Sequence, residues 1–109
     1  MTNIKLVEAE LAAAKRKHPH FIDYFTFTNC ATFAPELHSR RARLSVAEKQ
    51  ANVMFFDVLE CEVYEALDAY AHGELAHARQ ELAQCAAVCI RGMEYIGAEM
   101  EKGGKHEDA

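Results

Sequence analysis

Two long apolar-periodic stretches, residues 45–71 and 74–100, are separated by little more than Gly73, and that separation constrains the fold most. Glycine just past an apolar-periodic run is a common C-terminal stop, and so short a link turns the second helix back along the first. The chain is therefore expected to be all-α, built on an antiparallel hairpin of two long helices. SVAE, with Ser45 as N-cap and Glu48 three residues on, reads as a capping box that opens the first of them. That helix should continue to Tyr70 or Ala71. The second should run from about Glu74 to Met100, ahead of the polar tail GGKHEDA.

Upstream, residues 3–17 read NIKLVEAELAAAKRK and carry Ile4, Leu6, Val7 and Leu11 at helical spacing. A first helix is expected there, stopping before Pro19, since the residue ahead of a proline is biased away from helix. The stretch HPHFIDYFTFTNCATFAPELHSRR then reads as a connection in which Pro35 begins a short helix. At 109 residues the whole chain is expected to be one domain. Its parts would be an N-terminal helix and connection (1–44), the hairpin (45–101) and a tail (102–109).

The net charge of -5 argues against a nucleic acid polymer as partner, because phosphate backbones are bound by clustered Lys and Arg. The basic cluster Arg40, Arg41 and Arg43 is short. No apolar run approaches the roughly 20 residues that span a bilayer, so no membrane partner is expected. The start MTNIKLVEAE has acids where a secretion signal would be apolar, and a cytoplasmic protein is expected. Cys30, Cys61, Cys85 and Cys89 then read as reduced, small apolar residues. Cys85 and Cys89 share a helical face and raise the question of zinc, with His72 or His77 completing the set. The short C-x-x-C knuckle usual in such sites is absent.

The charges on the long helices carry the chemistry. At about 100° per residue, Phe55, Leu59, Val63, Ala66, Leu67, Ala69 and Tyr70 form one apolar stripe. Glu62 falls inside it and Glu65 on its border, while Asp57, Cys61, Tyr64 and Asp68 fall outside. On the second helix Leu75, Ala78, Leu82, Cys85, Val88, Cys89, Met93, Tyr95, Ile96 and Met100 form the stripe, with Glu81 inside it and Gln84 on its border. Each helix thus carries an acid on its buried face and a second oxygen-bearing side chain three residues later. Facing carboxylates in an apolar setting would normally protonate, and a divalent cation removes that cost. Oxygen-only donors select a hard ion, Mg²⁺ or Mn²⁺.

Residues 60–96, ECEVYEALDAYAHGELAHARQELAQCAAVCIRGMEYI, resemble the MazG-like all-alpha nucleoside triphosphate pyrophosphohydrolases. The signature of that superfamily is Glu-x-x-Glu on one helix, a spacer of a dozen or more residues, and Glu-x-x-Asp on the next. Here Glu62 and Glu65 supply the first half. Glu81 and Gln84 supply the second after fifteen intervening residues, with Gln84 standing where the family usually has Asp. Gln84 still offers a carbonyl oxygen but cannot act as a base, and it lowers the negative charge of the set.

The resemblance implies hydrolysis of a nucleoside triphosphate to the monophosphate and pyrophosphate. It implies Glu62, Glu65 and Glu81 as catalytic groups, and the same three with Gln84 as the ligands of Mg²⁺ or Mn²⁺. Lys49 or an arginine of the 40–43 cluster is a candidate for the phosphates, and Phe21, Tyr24 and Phe25 for stacking on the base. Two helices cannot enclose a nucleotide, so a homodimer or homotetramer with a four-helix bundle core is expected. Two other readings stand beside this one. A catalytically inactive helical nucleotide-binding or dimerisation protein would account for Gln84. Glu74 and His77 have the Glu-x-x-His spacing of ferritin-like di-iron carboxylate bundles.

Overall fold

A computed structural model describes residues 2–21, 25 and 33–103, and every regular element among them is helical. In chain order the helices are α1 (Asn3–Lys17), α2 (Ala34–Lys49), α3 (Phe55–Ala71) and α4 (Leu75–Gly103). None is long and apolar enough to cross a membrane. Contacts divide the chain into two compact units: Met1–Phe27 with Ile90–Ala109, and Thr28–Cys89. The first holds α1 and the distal part of α4; the second holds α2, α3 and the proximal part of α4.

Helix α1 has the predicted bounds. The Thr2 hydroxyl accepts from the Lys5 N–H (3.1 Å), and Lys15, Arg16 and Lys17 complement the C-terminal dipole. Its apolar residues Ile4, Leu6, Val7 and Leu11 are all exposed in the single chain.

The expected helix from Ser45 to Ala71 is in fact two. Pro35 opens α2, as the sequence suggests, but this helix is a full sixteen residues and carries Ser45 in its interior. The SVAE box therefore caps nothing. The break is a Schellman ending: Ala51 N–H donates to Glu48 O (3.1 Å) and Asn52 N–H to Ala47 O (3.0 Å), with Ala51 left-handed at φ 55. Glycine usually takes that position, and its absence hides the break from sequence inspection. Helix α3 then starts after Met54, whose N–H donates to the Asp57 carboxylate (3.1 Å). Because Ala51 carries the strain of a left-handed alanine, Ala51→Gly should raise stability by roughly 0.5–1 kcal/mol. Denaturant titration of both proteins checks this.

The second stop is where glycine announced it. Gly73 sits at φ 77, its N–H donating to Tyr70 O (3.0 Å) and that of Glu74 to Ala69 O (2.9 Å).

Helix α2 runs back along α3. At one end the Phe33 N–H donates to Asp68 Oδ1 (3.1 Å). Further along, Arg40 Nε and Arg43 Nη1 both reach Glu60 (3.1 and 3.0 Å), and the Arg40 guanidinium lies 5.1 Å from the Tyr64 ring centroid. This explains a departure from the predicted stripe. Cys61, placed outside it, is buried, in keeping with an α3 that meets α2 through Glu60 and Glu65 and α4 through Glu62 and Glu65. Among the described residues the other buried apolar ones are Leu37, Ala47, Ala66, Ala69 and Ala78. Alanines at helix contacts permit a close approach, which short carboxylate side chains need if they are to meet.

Candidate functional site

The site belongs to the unit Thr28–Cys89 and lies where α3 meets the proximal part of α4. Glu62 and Glu65 stand one turn apart on α3. Glu81 and Gln84 stand one turn apart on α4. Glu65 interacts with Glu81, and Glu62 with Gln84, in pairs equidistant in sequence from Gly73. That symmetry is the signature of antiparallel neighbours, so the turn at Gly73 sets the register that aligns the four side chains.

Glu62, Glu65 and Glu81 each bring one carboxylate oxygen within 4.8 Å of the others. Two oxygens on opposite sides of one Mg²⁺ would be about 4.2 Å apart, so the three oxygens are gathered to near the span of one ion's coordination sphere and would close further on binding it. The all-carboxylate donor set suits a hard cation. Glu81 is the deepest of the three, 6% exposed; Glu62 and Glu65 are half-buried.

Three carboxylates at this spacing do not all stay ionised. Burial, then a hydrogen bond with Glu81 and the charges of Glu65 and Glu81, push Glu62 up to about 7. Glu65 is raised as well, first by burial and then by its hydrogen bond and charge interaction with Glu81, against an opposing pull from Cys61 and Arg41. Burial alone would also raise Glu81, but hydrogen bonds with Glu62, Glu65 and His77 outweigh it and hold Glu81 below its ordinary value. The negative charge is thus held most readily on α4, while the two carboxyls of α3 are pushed toward their protonated forms.

Gln84 has its amide beside the carboxylates of both helices. With its amide nitrogen toward the carboxylates it donates to Glu62 Oε2 (2.8 Å) and Glu81 Oε2 (3.1 Å). The opposite orientation would set its oxygen against two acceptors. Here Gln84 serves as a donor joining the two helices' acids.

The surroundings complete the set. His77 Nε2 lies 3.0 Å from Glu81 Oε1. Cys61 Sγ is 3.6 Å from Glu65 Oε1, a contact that with burial pushes the thiol up to about 11 and leaves it unreactive. Arg41 Nε lies 3.6 Å from the same Glu65 oxygen, with 60% of its side chain exposed. The arginine cluster is therefore divided, Arg40 and Arg43 held by Glu60 and Arg41 turned to the acids. Lys49 is exposed in the last turn of α2, roughly 12 Å along the helix beyond Arg41 and toward the start of α3.

Among the described residues, Glu62, Glu65 and Glu81 are the only cluster of three or more His, Cys, Asp or Glu gathered closely enough to hold an ion. The zinc set is thus not assembled: His72 Nδ1 sits on Asp68 O (2.8 Å), while Cys61, Cys85 and Cys89 are free thiols. Cys30 and Tyr24 lie outside the described residues. Phe21 is exposed and Phe25 half-buried, both in the unit that does not contain the acids. The sequence allows Glu62 and Glu81 to pair with Arg79, Arg91 or a histidine without singling out His77, for which the four-residue spacing to Glu81 was a usable signal, and it gives no signal for Arg41. No protein-family model, no curated protein and no solved structure matches the chain.

Proposed function

We propose that the protein is a nucleoside triphosphate pyrophosphohydrolase of the MazG-like kind, dependent on Mg²⁺ or Mn²⁺. The observation that carries this reading is the convergence of Glu62, Glu65 and Glu81, from two helices, to within the reach of one ion. These are also the acids that match the superfamily's motif. When bound, a divalent cation there would neutralise charge developing on the leaving pyrophosphate.

The protein's own groups divide the remaining work. Glu81 supplies the buried carboxylate held below its ordinary value, and a bound cation would favour the ionised forms of Glu62 and Glu65, which burial and their neighbours raise. Gln84 ties Glu62 to Glu81 across the helix pair. Arg41, at the exposed rim, offers guanidinium N–H groups to phosphate oxygens. In the reaction the oxygen of water joins the α-phosphorus and the bond to the bridging oxygen breaks. The proton from water passes to a carboxylate of the triad. Exposed apolar residues on both helices, including Phe55, Leu75 and Leu82, support a homodimer in which the hairpins pair.

Gln84 favours one second reading, a site that binds nucleotide without turnover. The test is pyrophosphate release from a panel of ribo- and deoxyribonucleoside triphosphates, with Mg²⁺, with Mn²⁺ and with EDTA. Release that requires the metal supports the hydrolase and identifies the base and sugar together. If nothing is cleaved while metal and nucleotide raise the melting temperature, the binding reading replaces it.

A further inference from the structure

The pair Glu74 and His77, singled out by its Glu-x-x-His spacing, lies at the start of α4 beside the carboxylate cluster. Glu74 immediately precedes the helix, where its carbonyl accepts the Ala78 N–H (2.9 Å), and His77 and Glu81 follow one and two turns on. All three lie along one helix face. His77 Nδ1 is 3.6 Å from Glu74 Oε2, and His77 Nε2 is 3.0 Å from Glu81 Oε1. The imidazole thus spans two carboxylates, one exposed at the turn and one buried in the site, whose side chains are 57% and 8% exposed.

We infer that His77 is a positioning residue for the carboxylate cluster, holding Glu81 through Nε2, with the exposed Glu74 carboxylate lying beyond hydrogen-bond distance of Nδ1. The inference rests on the reading of Glu62, Glu65 and Glu81 as a divalent-cation site. A carboxylate held by one oxygen has its rotation about the terminal bond removed. With Oε1 on His77, Glu81 Oε2 is left toward Gln84 and the acids of α3. A free Glu81 would have to be ordered at the moment a cation binds, and that cost would appear as weaker affinity.

The arrangement makes an unusual substitution test available. The side-chain nitrogen of glutamine reaches about as far as Nε2, whereas that of asparagine reaches about as far as Nδ1. In the full-length protein, Mn²⁺ affinity measured by titration calorimetry should fall about tenfold or more in His77→Ala and in His77→Asn. His77→Gln should stay within about threefold of wild type. The His77 side chain is 55% exposed, so the melting temperature of the metal-free protein serves as the structural control and should scarcely change among the variants. Wild-type affinity in His77→Ala, or a His77→Gln variant as weak as His77→Ala, would overturn the assignment. If the wild-type protein itself binds neither Mn²⁺ nor Mg²⁺, the cation-site reading fails first and takes this inference with it. That outcome is visible before any variant is compared.

Discussion

Glu81→Gln is expected to lower metal-dependent pyrophosphate release by roughly a hundredfold to a thousandfold or more, and to remove the rise in melting temperature that Mn²⁺ gives the wild-type protein. Glu81 is the only carboxylate that α4 contributes to the cluster and the most buried of the three. It is also the one held below its ordinary pKa, through hydrogen bonds with Glu62, Glu65 and His77 that outweigh burial. Glutamine keeps the shape and removes the charge. It also sets an amide where Gln84 and His77 already donate, so one of its two polar atoms faces the wrong partner. Parallel assays of pyrophosphate release and of thermal unfolding, each with and without Mn²⁺, measure the two losses. Turnover at the wild-type rate in this variant would remove Glu81 from the mechanism.

The second large effect concerns pH. Without divalent metal, the protein should become less stable as pH rises from about 5 to about 8, and Mn²⁺ should restore the loss. Glu62 moves from 4.5 in the unfolded chain to about 7 in the folded protein, chiefly through burial and then through its hydrogen bond with Glu81. The folded state therefore holds a proton that the unfolded state has released. Its contribution is complete below the unfolded value and is lost as pH climbs through the folded one. The raised Glu65 acts in the same direction. Glu81, lowered, acts the other way, contributing above its unfolded value and losing that contribution only in acid.

The shift of Glu62 would correspond to about 3 kcal/mol if it acted in full. Solvent reaches this half-buried group, so roughly 1–2 kcal/mol is the realistic loss, or ~5–10 °C in melting temperature. Glu62→Gln should flatten the profile and make the metal-free protein more stable at pH 8, while removing its response to Mn²⁺. Thermal unfolding at several pH values, with EDTA or with Mn²⁺, tests this. A flat profile in the wild-type protein would mean that the three acids do not share a proton.

Much of the site was legible before any coordinates. Glu62, Glu65 and Glu81 could be placed because two regularities act together: residues three apart share a helix face, and a link as short as that at Gly73 makes neighbouring helices antiparallel. What escaped is equally specific. The boundary between α2 and α3 carries no glycine or proline; Ala51 takes a left-handed conformation that alanine seldom adopts. Cys61 was misplaced because one apolar stripe implies one covered face, whereas α3 has two. For Gln84 the sequence shows an amide on the border of the stripe but not which way it turns, which its neighbours Glu62 and Glu81 set.

The sequence by itself thus determined an all-helical chain, a turn at Gly73 and a shared side for the acids of α3 and α4. These follow from forces acting over a few residues, which periodicity and caps record. The tertiary structure decided how α2 folds back on α3, which arginine reaches the acids and which carboxyls are pushed toward their protonated forms. Such outcomes depend on distances between groups remote in sequence and on how far water is excluded from them, and neither quantity is written in the order of the residues.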